Sequence, residues 1–332
     1  MKWYRTNKRE LPWREDRDPY HVWVSEVMLQ QTRIETVIPY YERFLRELPD
    51  IASLSSADDD KLYKLWEGLG YYSRARHLKE AALLVMKEYD GVFPPSYEDI
   101  LSLPGIGPYI AGAVASIAFE EKTPAIDGNV LRVFSRILKE ERTVNDTSYK
   151  KELHAALKEI YPEEAGDFTS ALMEIGERVC LPNTAPHCGQ CPLRDNCLSC
   201  QDDTQTGYPK TPLKKKAKEE DRTVFLLIHD DRIAVRKRDT KGLLHGLYEF
   251  PNISGHYQEK EIMKMYPGAE ISYKGSYTHQ FSHLHWKNDV WMIRVEKEAE
   301  EYEWVSLKYL HERISLPEAF RKALQYLQKG VE

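Results

Sequence analysis

Three things are scarce in this sequence, and each absence removes a class of protein. No apolar run approaches the roughly 20 residues that a membrane-spanning helix needs, so an integral helical membrane protein is not expected. Cysteine is missing everywhere except between Cys180 and Cys200, where all five fall. A disulfide framework is not usually distributed that way. Net positive charge is also missing: 47 Lys and Arg face 53 Asp and Glu, a formal charge of −6. That speaks against indiscriminate coating of nucleic acid, but a local basic face would still act, because association follows local potential. The opening MKWYRTNKRELPW has no apolar signal region, and a cytoplasmic protein is expected.

What is present suits a folded chain of more than one domain. Of the 332 residues, 42% are hydrophobic and 30% charged, as in globular proteins generally. The length predicts two or three domains. Basic residues cluster at Lys2, Arg5, Lys8, Arg9, Arg14 and Arg17, and again at Lys210, Lys214, Lys215, Lys216 and Lys218. The second cluster lies in a polar stretch, 198–221, with the composition of a linker.

The first part of the chain is organised around Leu103 to Val130. Ser96 is placed to start a short helix, with Asp99 as its capping-box partner. Pro104, Gly105, Ile106 and Gly107 break that helix, and Pro108 suits the first turn of the next, where its missing N–H would be unpaired anyway. The pattern spans residues 96–118. It is either a plain glycine turn in a bundle or a hairpin whose bare N–H groups, at a helix N-terminus, can hold a phosphate. Ala111, Gly112, Ala113 and Ala115 would let another backbone approach the second helix closely.

Two acidic residues stand out by position. Asp18 and Pro19 read as the cap and first turn of a helix carrying Glu26 in or beside its apolar stripe. A carboxylate there is costly unless paired, and burial raises its pKa. Asp127 precedes the helix of Val130, Val133, Phe134, Ile137 and Leu138. Its place at a helix N-terminus favours the ionised form, so its pKa is expected to stay low. Taken singly, Glu26 reads as a partly buried glutamate and Asp127 as an ordinary cap. Taken together, their expected shifts would divide them into a proton donor and a permanent anion, a division that suits cleavage of a glycosidic bond, and their pairing in space rests on the resemblance given below.

Cys180, Cys188, Cys191 and Cys197 can hold zinc or an iron–sulfur cluster. A competing register takes Cys188, Cys191, Cys197 and Cys200, two C-x-x-C pairs that would suit zinc, although their five-residue spacer is short for a ribbon. After the linker the pattern changes. TVFLLIHDDRIAVRKR reads as strand, tight turn and strand; a helix near Glu259–Tyr266 follows, then strands in SYKGSYTHQFSHLHW, DVWMIRVEKE and EWVS, and a last helix from Pro317.

LPWR at 11–14, SEVMLQQT at 25–32, WEGLGYYSRAR at 66–76, LPGIGPYIAGA at 103–113, DGNVLRV at 127–133, the cysteine loop and FSH at 281–283 together resemble the adenine-DNA glycosylases of the MutY type, in the endonuclease III superfamily of helix-hairpin-helix glycosylases. The resemblance implies a multi-domain fold: an all-α helix-hairpin-helix glycosylase domain over 1–197 with a 4Fe-4S loop at 180–197, a linker at 198–221, and a C-terminal α+β Nudix-like domain over 222–332. It implies a monomer acting on double-stranded DNA and hydrolysing the bond to an adenine mispaired with 8-oxoguanine or guanine, after flipping that adenine out of the stack.

By the same resemblance Glu26 is the general acid at adenine N7, and Asp127 the anion that stabilises or captures the sugar cation. Tyr109 and Asn129 position this centre. Bifunctional relatives carry a lysine where this chain has Tyr109, and a Schiff base needs an amine, so a monofunctional glycosylase is implied. Trp13, Arg14 and Glu174 match the adenine pocket. Gln31, Thr32, Leu69 and Tyr71 match the group that fills the gap and reads the opposite base, Gly105 and Gly107 the phosphate-docking hairpin, and Phe281, Ser282 and His283 the 8-oxoguanine contact. Cys180, Cys188, Cys191 and Cys197 are the implied cluster ligands, with one residue more than usual in the first gap, and Cys200 is not a ligand. The R-E-x-x-E-E box of a working Nudix hydrolase is absent after Gly246, which implies a reader domain. Two other readings compete: a strand-cutting endonuclease III relative for oxidised pyrimidines, and a non-enzymatic DNA clamp.

Overall fold

The computed structural model describes residues 1–213, 216–238 and 241–328; Lys214 and Lys215 of the second basic cluster lie outside the described residues. The chain divides into two compact units, Met1–Ala57 with Arg76–Leu213, and Asp58–Ala75 with Lys214–Glu332. No helix among the described residues is long and apolar enough to cross a membrane.

The first unit is helical: α1 (Lys2–Asn7), α2 (Pro19–Leu29), α3 (Ile34–Glu47), α4 (Ile51–Ser56), most of α6 (Ser73–Glu88), α7 (Tyr97–Ser102), α8 (Pro108–Phe119), α9 (Gly128–Leu138), α10 (Thr147–Ile160), α11 (Ala165–Arg178) and α12 (Leu198–Gln201). Between α4 and α6, α5 (Asp59–Trp66) belongs to the second unit. Asp18 caps α2 as expected, accepting from the Tyr20 and His21 N–H groups at 2.8 and 3.4 Å. Ser96 caps α7 through the Asp99 N–H, but the Asp99 carboxylate takes the Ser96 hydroxyl at 2.6 Å rather than closing a capping box on the backbone. Gly105 turns the α7–α8 hairpin at φ +73, a conformation only glycine adopts readily.

The centre of the unit is α8, which packs against α2, α7 and α11 and buries Ile110 through Ser116. Its small residues explain this. A Cβ on Gly112 would lie 2.4 Å from the Pro124 carbonyl oxygen, so the returning chain runs against bare helix backbone.

The second unit is a mixed sheet in the order β3-β2-β1-β6-β5, with β4 paired to β1 and β7 to β2. Its strands are β1 (Lys218–His229), β2 (Arg232–Lys237), β3 (Tyr248–Glu249), β4 (Asn252–Ser254), β5 (Glu270–Gln280), β6 (Leu284–Arg294) and β7 (Glu303–Ser306). Helices α13 (Glu259–Met265), α14 (Leu307–Arg313), α15 (Glu318–Arg321) and α16 (Gln325–Gln328) complete it. Central β1 runs parallel to β6 and is buried on both faces. Val224 and Leu226 face a core with Trp286 and Phe320, while Phe225 and Leu227 face one with Ile262 and Trp291. A strand covered on both sides has no polar alternation, which is why TVFLLI is continuously apolar.

The units differ from the expected boundaries in two places. Residues 58–75 leave the helical unit for the C-terminal one. Much of the expected linker is folded: Tyr208 is buried, its carbonyl accepts from Arg136 Nε at 3.1 Å, and the Lys210 carbonyl accepts from the Val144 N–H at 3.0 Å. Polarity alone misses such segments, because a few anchors and backbone hydrogen bonds suffice to hold them. SYKGSYTHQFSHLHW is not one strand but the β5–β6 hairpin, turning at Phe281–His283 with no glycine, proline or asparagine to mark the turn.

Substituting Gly112 tests the close approach. Glycine to alanine inside a helix ordinarily gains about 1 kcal/mol. Gly112→Ala is instead expected to lower stability by about 1–3 kcal/mol through overpacking, read by urea denaturation of the two proteins side by side.

Candidate active site

Helix α2 is buried on nearly every side, from Tyr20 through Met28, and Glu26 is only 5% exposed within it. Its carboxylate meets α8, where the Tyr109 hydroxyl donates to Glu26 Oε2. Asp127 arrives on the segment that Gly112 admits. As the cap of α9 it accepts the Val130 N–H at 2.7 Å through one oxygen and Asn129 Nδ2 at 2.7 Å through the other. Glu26, Tyr109, Asp127 and Asn129 line one cavity of about 890 Å³ in the first unit, with Trp13, Arg14, Thr32, Glu174 and Glu177 also on its wall. Ligand pockets usually span roughly 300–1,000 Å³, so a nucleoside fits this one.

Burial pushes the Glu26 carboxyl up to about 7, against the Tyr109 hydroxyl and with help from the Asp127 charge. Burial also holds the Tyr109 phenol well above its ordinary value, so it stays a neutral donor. Asp127 departs from expectation: its carboxyl is raised, not held low. The cap geometry is present, and the Val130 and Asn129 donors and the Arg132 charge all favour the anion, but desolvation on the cavity wall is larger. The two carboxyls therefore differ in the donors they receive rather than in the direction of their shifts.

Glu174 is fully buried and serves the arginines. It accepts the Arg9 N–H, Nε and Nη2 at 3.1, 2.7 and 2.9 Å and Arg14 Nη2 at 3.1 Å. Burial alone would raise its pKa, but the Arg9 hydrogen bonds and the charges of Arg14 and Arg9 bring it below the ordinary value. Four donors fill the acceptor sites of a carboxylate, so Glu174 holds Arg14 in the wall instead of offering a free oxygen to a base. Trp13 is buried edge-on against Tyr41 at 5.4 Å.

Arg132 escaped the sequence reading. Its Nη2 donates to Asn129 Oδ1 at 2.7 Å and to the Gly176 carbonyl at 2.8 Å, which turns the Asn129 amide nitrogen toward Asp127. Its position one helical turn after Asn129 was the available signal. Arg9 was visible only as one member of a basic cluster, and Glu177, which accepts Asn129 Nδ2 at 3.3 Å, was not singled out.

The remaining candidates lie elsewhere. Gln31 is exposed just beyond α2 at φ +57. Leu69, Tyr71, Phe281, Ser282 and His283 belong to the second unit. There Leu69 is buried, Tyr71 is 50% exposed at φ +47, and its hydroxyl lies 2.7 Å from Ser282 Oγ. Left-handed backbone at a tyrosine or a glutamine is unfavourable and tends to mark functional positions. Gly105 and Gly107 form the hairpin tip.

All five cysteines line one small hollow in the first unit. Arg136 Nη1 donates to Cys180 Sγ at 3.2 Å, a contact that suits an anionic thiolate group. Among the described residues no three His, Cys, Asp or Glu side chains are grouped to hold a single ion. Five thiols around a shared hollow, with a guanidinium beside them, are a soft donor set of the kind that zinc or an iron–sulfur cluster uses. Cys200 lines the same hollow, so its exclusion as a ligand is carried by the family pattern alone.

Both units of the chain have counterparts among known proteins. Residues 24–163 match the HhH-GPD superfamily of base excision DNA repair proteins, and residues 223–326 match the NUDIX domain. The adenine DNA glycosylase of Buchnera aphidicola subsp. Acyrthosiphon pisum is 30% identical over the whole of this chain and 97% of its own length. The Homo sapiens adenine DNA glycosylase is 33% identical over 89% of this chain and 66% of its own. Among solved structures, a thermostable thymine-DNA glycosylase superposes with a TM-score of 0.56 at 28% identity, covering 60% of this chain and 93% of that one. A non-covalent endonuclease III–DNA complex shares the fold at 0.51 and 22% identity, covering 61% of this chain and 94% of that one.

The environment of Glu26 has a consequence for stability. The folded chain keeps the Glu26 proton to about pH 7, while the unfolded chain releases it near the ordinary glutamate value of about 4.5. Between the two the folded state binds more protons, so stability falls as pH rises through that window and stays reduced above it. Glu26→Gln removes the titration. Relative to the parent, the variant should gain little near about pH 4 and up to about 3 kcal/mol near about pH 8. Urea unfolding at the two pH values checks this, and an equal difference at both would contradict a buried, proton-retaining Glu26.

Proposed function

The chain belongs to the adenine DNA glycosylases of the HhH-GPD superfamily, and from that premise we propose that it excises adenine opposite 8-oxoguanine, or guanine, in duplex DNA without cutting the strand. It is a hydrolase of N-glycosyl bonds. The observation that carries the finer reading is the shared cavity: a carboxyl raised to about 7 and a multiply hydrogen-bonded carboxylate line one nucleoside-sized space.

An adenine extruded from the stack enters this cavity. Glu26, which retains its proton to about pH 7, gives that proton to N7, and the leaving base departs with the glycosidic electron pair. Positive charge then develops on the sugar and is met by Asp127, whose orientation is set by Asn129 and, behind it, Arg132. Asp127 captures the cation as a covalent ester, and water then displaces Asp127 from the face the base left, passing its proton to the Glu26 carboxylate, so that hydrolysis proceeds with retention. Tyr109 orients Glu26 and, having no amine, forms no Schiff base. The hairpin is the proposed phosphate dock. Gly107, the N-cap of α8, has no side-chain cap, and among the described residues nothing lies within 4 Å of where its Cβ would stand, which leaves room for a phosphate beside the helix N-terminus. In the second unit Ser282, touching Tyr71 and flanked by Phe281 and His283, is the proposed reader of 8-oxoguanine.

A 4Fe-4S cluster on Cys180, Cys188, Cys191 and Cys197 is part of the same proposal. When bound it would supply iron–thiolate cross-links to the loop. Purified protein should be brown, Cys180→Ser should lose iron and sulfide, and Cys200→Ser should keep both. Loss of iron from Cys200→Ser would favour the other register.

The decisive assay incubates duplexes carrying single defined mispairs and scores base release and nicking separately. Adenine release without nicking is expected, with a rate that falls as pH rises above about 7 and Glu26 ionises. Glu26→Gln should slow single-turnover release by about 10²–10⁴-fold, and Asp127→Asn by about 10²-fold or more. Pyrimidine release with nicking would point to a strand-cutting enzyme, and unchanged function in both variants to a DNA clamp.

A further inference from the structure

Tyr71 and Ser282 are 211 positions apart in sequence, yet their hydroxyls lie 2.7 Å apart. Both segments are seated on one short stretch of the second unit, Ile314 to Arg321. On one side, Glu67 Oε1, at the C-cap of α5, accepts the buried Leu316 N–H at 3.0 Å, and Glu67 Oε2 accepts Lys64 Nζ at 2.6 Å. The same ammonium donates to the Ile314 carbonyl at 3.0 Å. Between them Ser315, 3% exposed, donates to the Tyr63 carbonyl at 3.0 Å and lies 3.5 Å from the Tyr72 hydroxyl. On the other side, Phe320 packs under Trp286 at 5.8 Å, and Trp286 packs under Phe281 at 5.0 Å, the residue before Ser282.

From this we infer that Glu67 is a specificity-determining positioning residue. By fastening the end of α5 to Leu316, it holds the Tyr71 loop in register with the β5–β6 hairpin, so that Tyr71 and Ser282 meet the base opposite the adenine as one preset pair. The inference rests on the proposed reading of Ser282. The physical reason is that the Tyr71 loop is short and left-handed at Tyr71, and an exposed hydroxyl pair is weak unless its two backbones are already in place. Glu67 supplies that placement from a partly shielded site, where its side chain is 15% exposed. It lies outside the adenine cavity, so its effect falls on the choice of opposite base rather than on bond cleavage.

The experiment measures single-turnover adenine release from duplexes with 8-oxoguanine or guanine opposite adenine, using the full-length enzyme. Glu67→Ala is expected to lower the ratio of the two rates by about fivefold or more, chiefly through the 8-oxoguanine duplex. Glu67→Gln, which can still accept the Leu316 N–H, should restore most of the ratio. Ser315→Ala, a milder change that guards against a folding defect, should shift it the same way by a smaller factor. In a Ser282→Ala background, Glu67→Ala should change the ratio no further, since the two act through one contact. An unchanged ratio in Glu67→Ala and Ser315→Ala, or effects that add fully to Ser282→Ala, would overturn the inference while leaving the reader role of Ser282 intact. A wild-type ratio near one would overturn that role itself, and the inference with it.

Discussion

The catalytic unit depends on one close approach, the Pro124 carbonyl against the bare backbone of α8 at Gly112. Tyr109 stands three residues before Gly112, and Asp127 three residues after Pro124. The same helix presents Tyr109 to Glu26 on α2. A side chain at Gly112 would push the returning segment outward and carry Asp127 away from the other two. The cavity is thus a product of small-residue packing, and its acidic residues are held by elements rigid enough to keep them facing each other.

Both facing carboxyls are withdrawn from water, and both respond by favouring the protonated form. Their surroundings separate through hydrogen bonding. Glu26 has the Tyr109 hydroxyl against a largely apolar helix, whereas Asp127 has a backbone N–H, an amide and a guanidinium arranged behind it. Donors of that kind stabilise charge where it is needed, and they are in place before any substrate arrives. The buried Glu174 with Arg9 and Arg14 follows the same logic in the wall: two cations and one anion satisfy each other, so the wall is polar without being unsatisfied.

The second unit solves a different problem. The proposed reader sits at a hairpin tip, and such a tip serves recognition only if something fixes it. The aromatic stack of Phe281, Trp286 and Phe320 does so from within the sheet's core. The inclusion of residues 58–75 in this unit puts the Tyr71 loop and the Ser282 turn on a common support, although the chain between them passes through Arg76–Leu213 of the helical unit.

Much was legible from residues alone where the signal is local. Caps at Asp18, Ser96 and Asp127, the glycine hairpin, the apolar α2 with Glu26 inside it, and the continuous apolar run of β1 follow from backbone chemistry and periodicity over a few positions. The unmarked turn at Phe281–His283, the folded stretch around Tyr208 and the transfer of α5 to the second unit do not, because each is decided by partners distant in sequence. The direction of the Asp127 shift belongs with these. A helix N-terminus can be read from the string, but the depth of burial that outweighs it is set by how α2, α8 and α11 close around the cavity. Sequence by itself determined which side chains could do the chemistry; only the packed structure decided how dry their surroundings are and which arginines stand behind them, since desolvation depends on every neighbour and not on the nearest few residues.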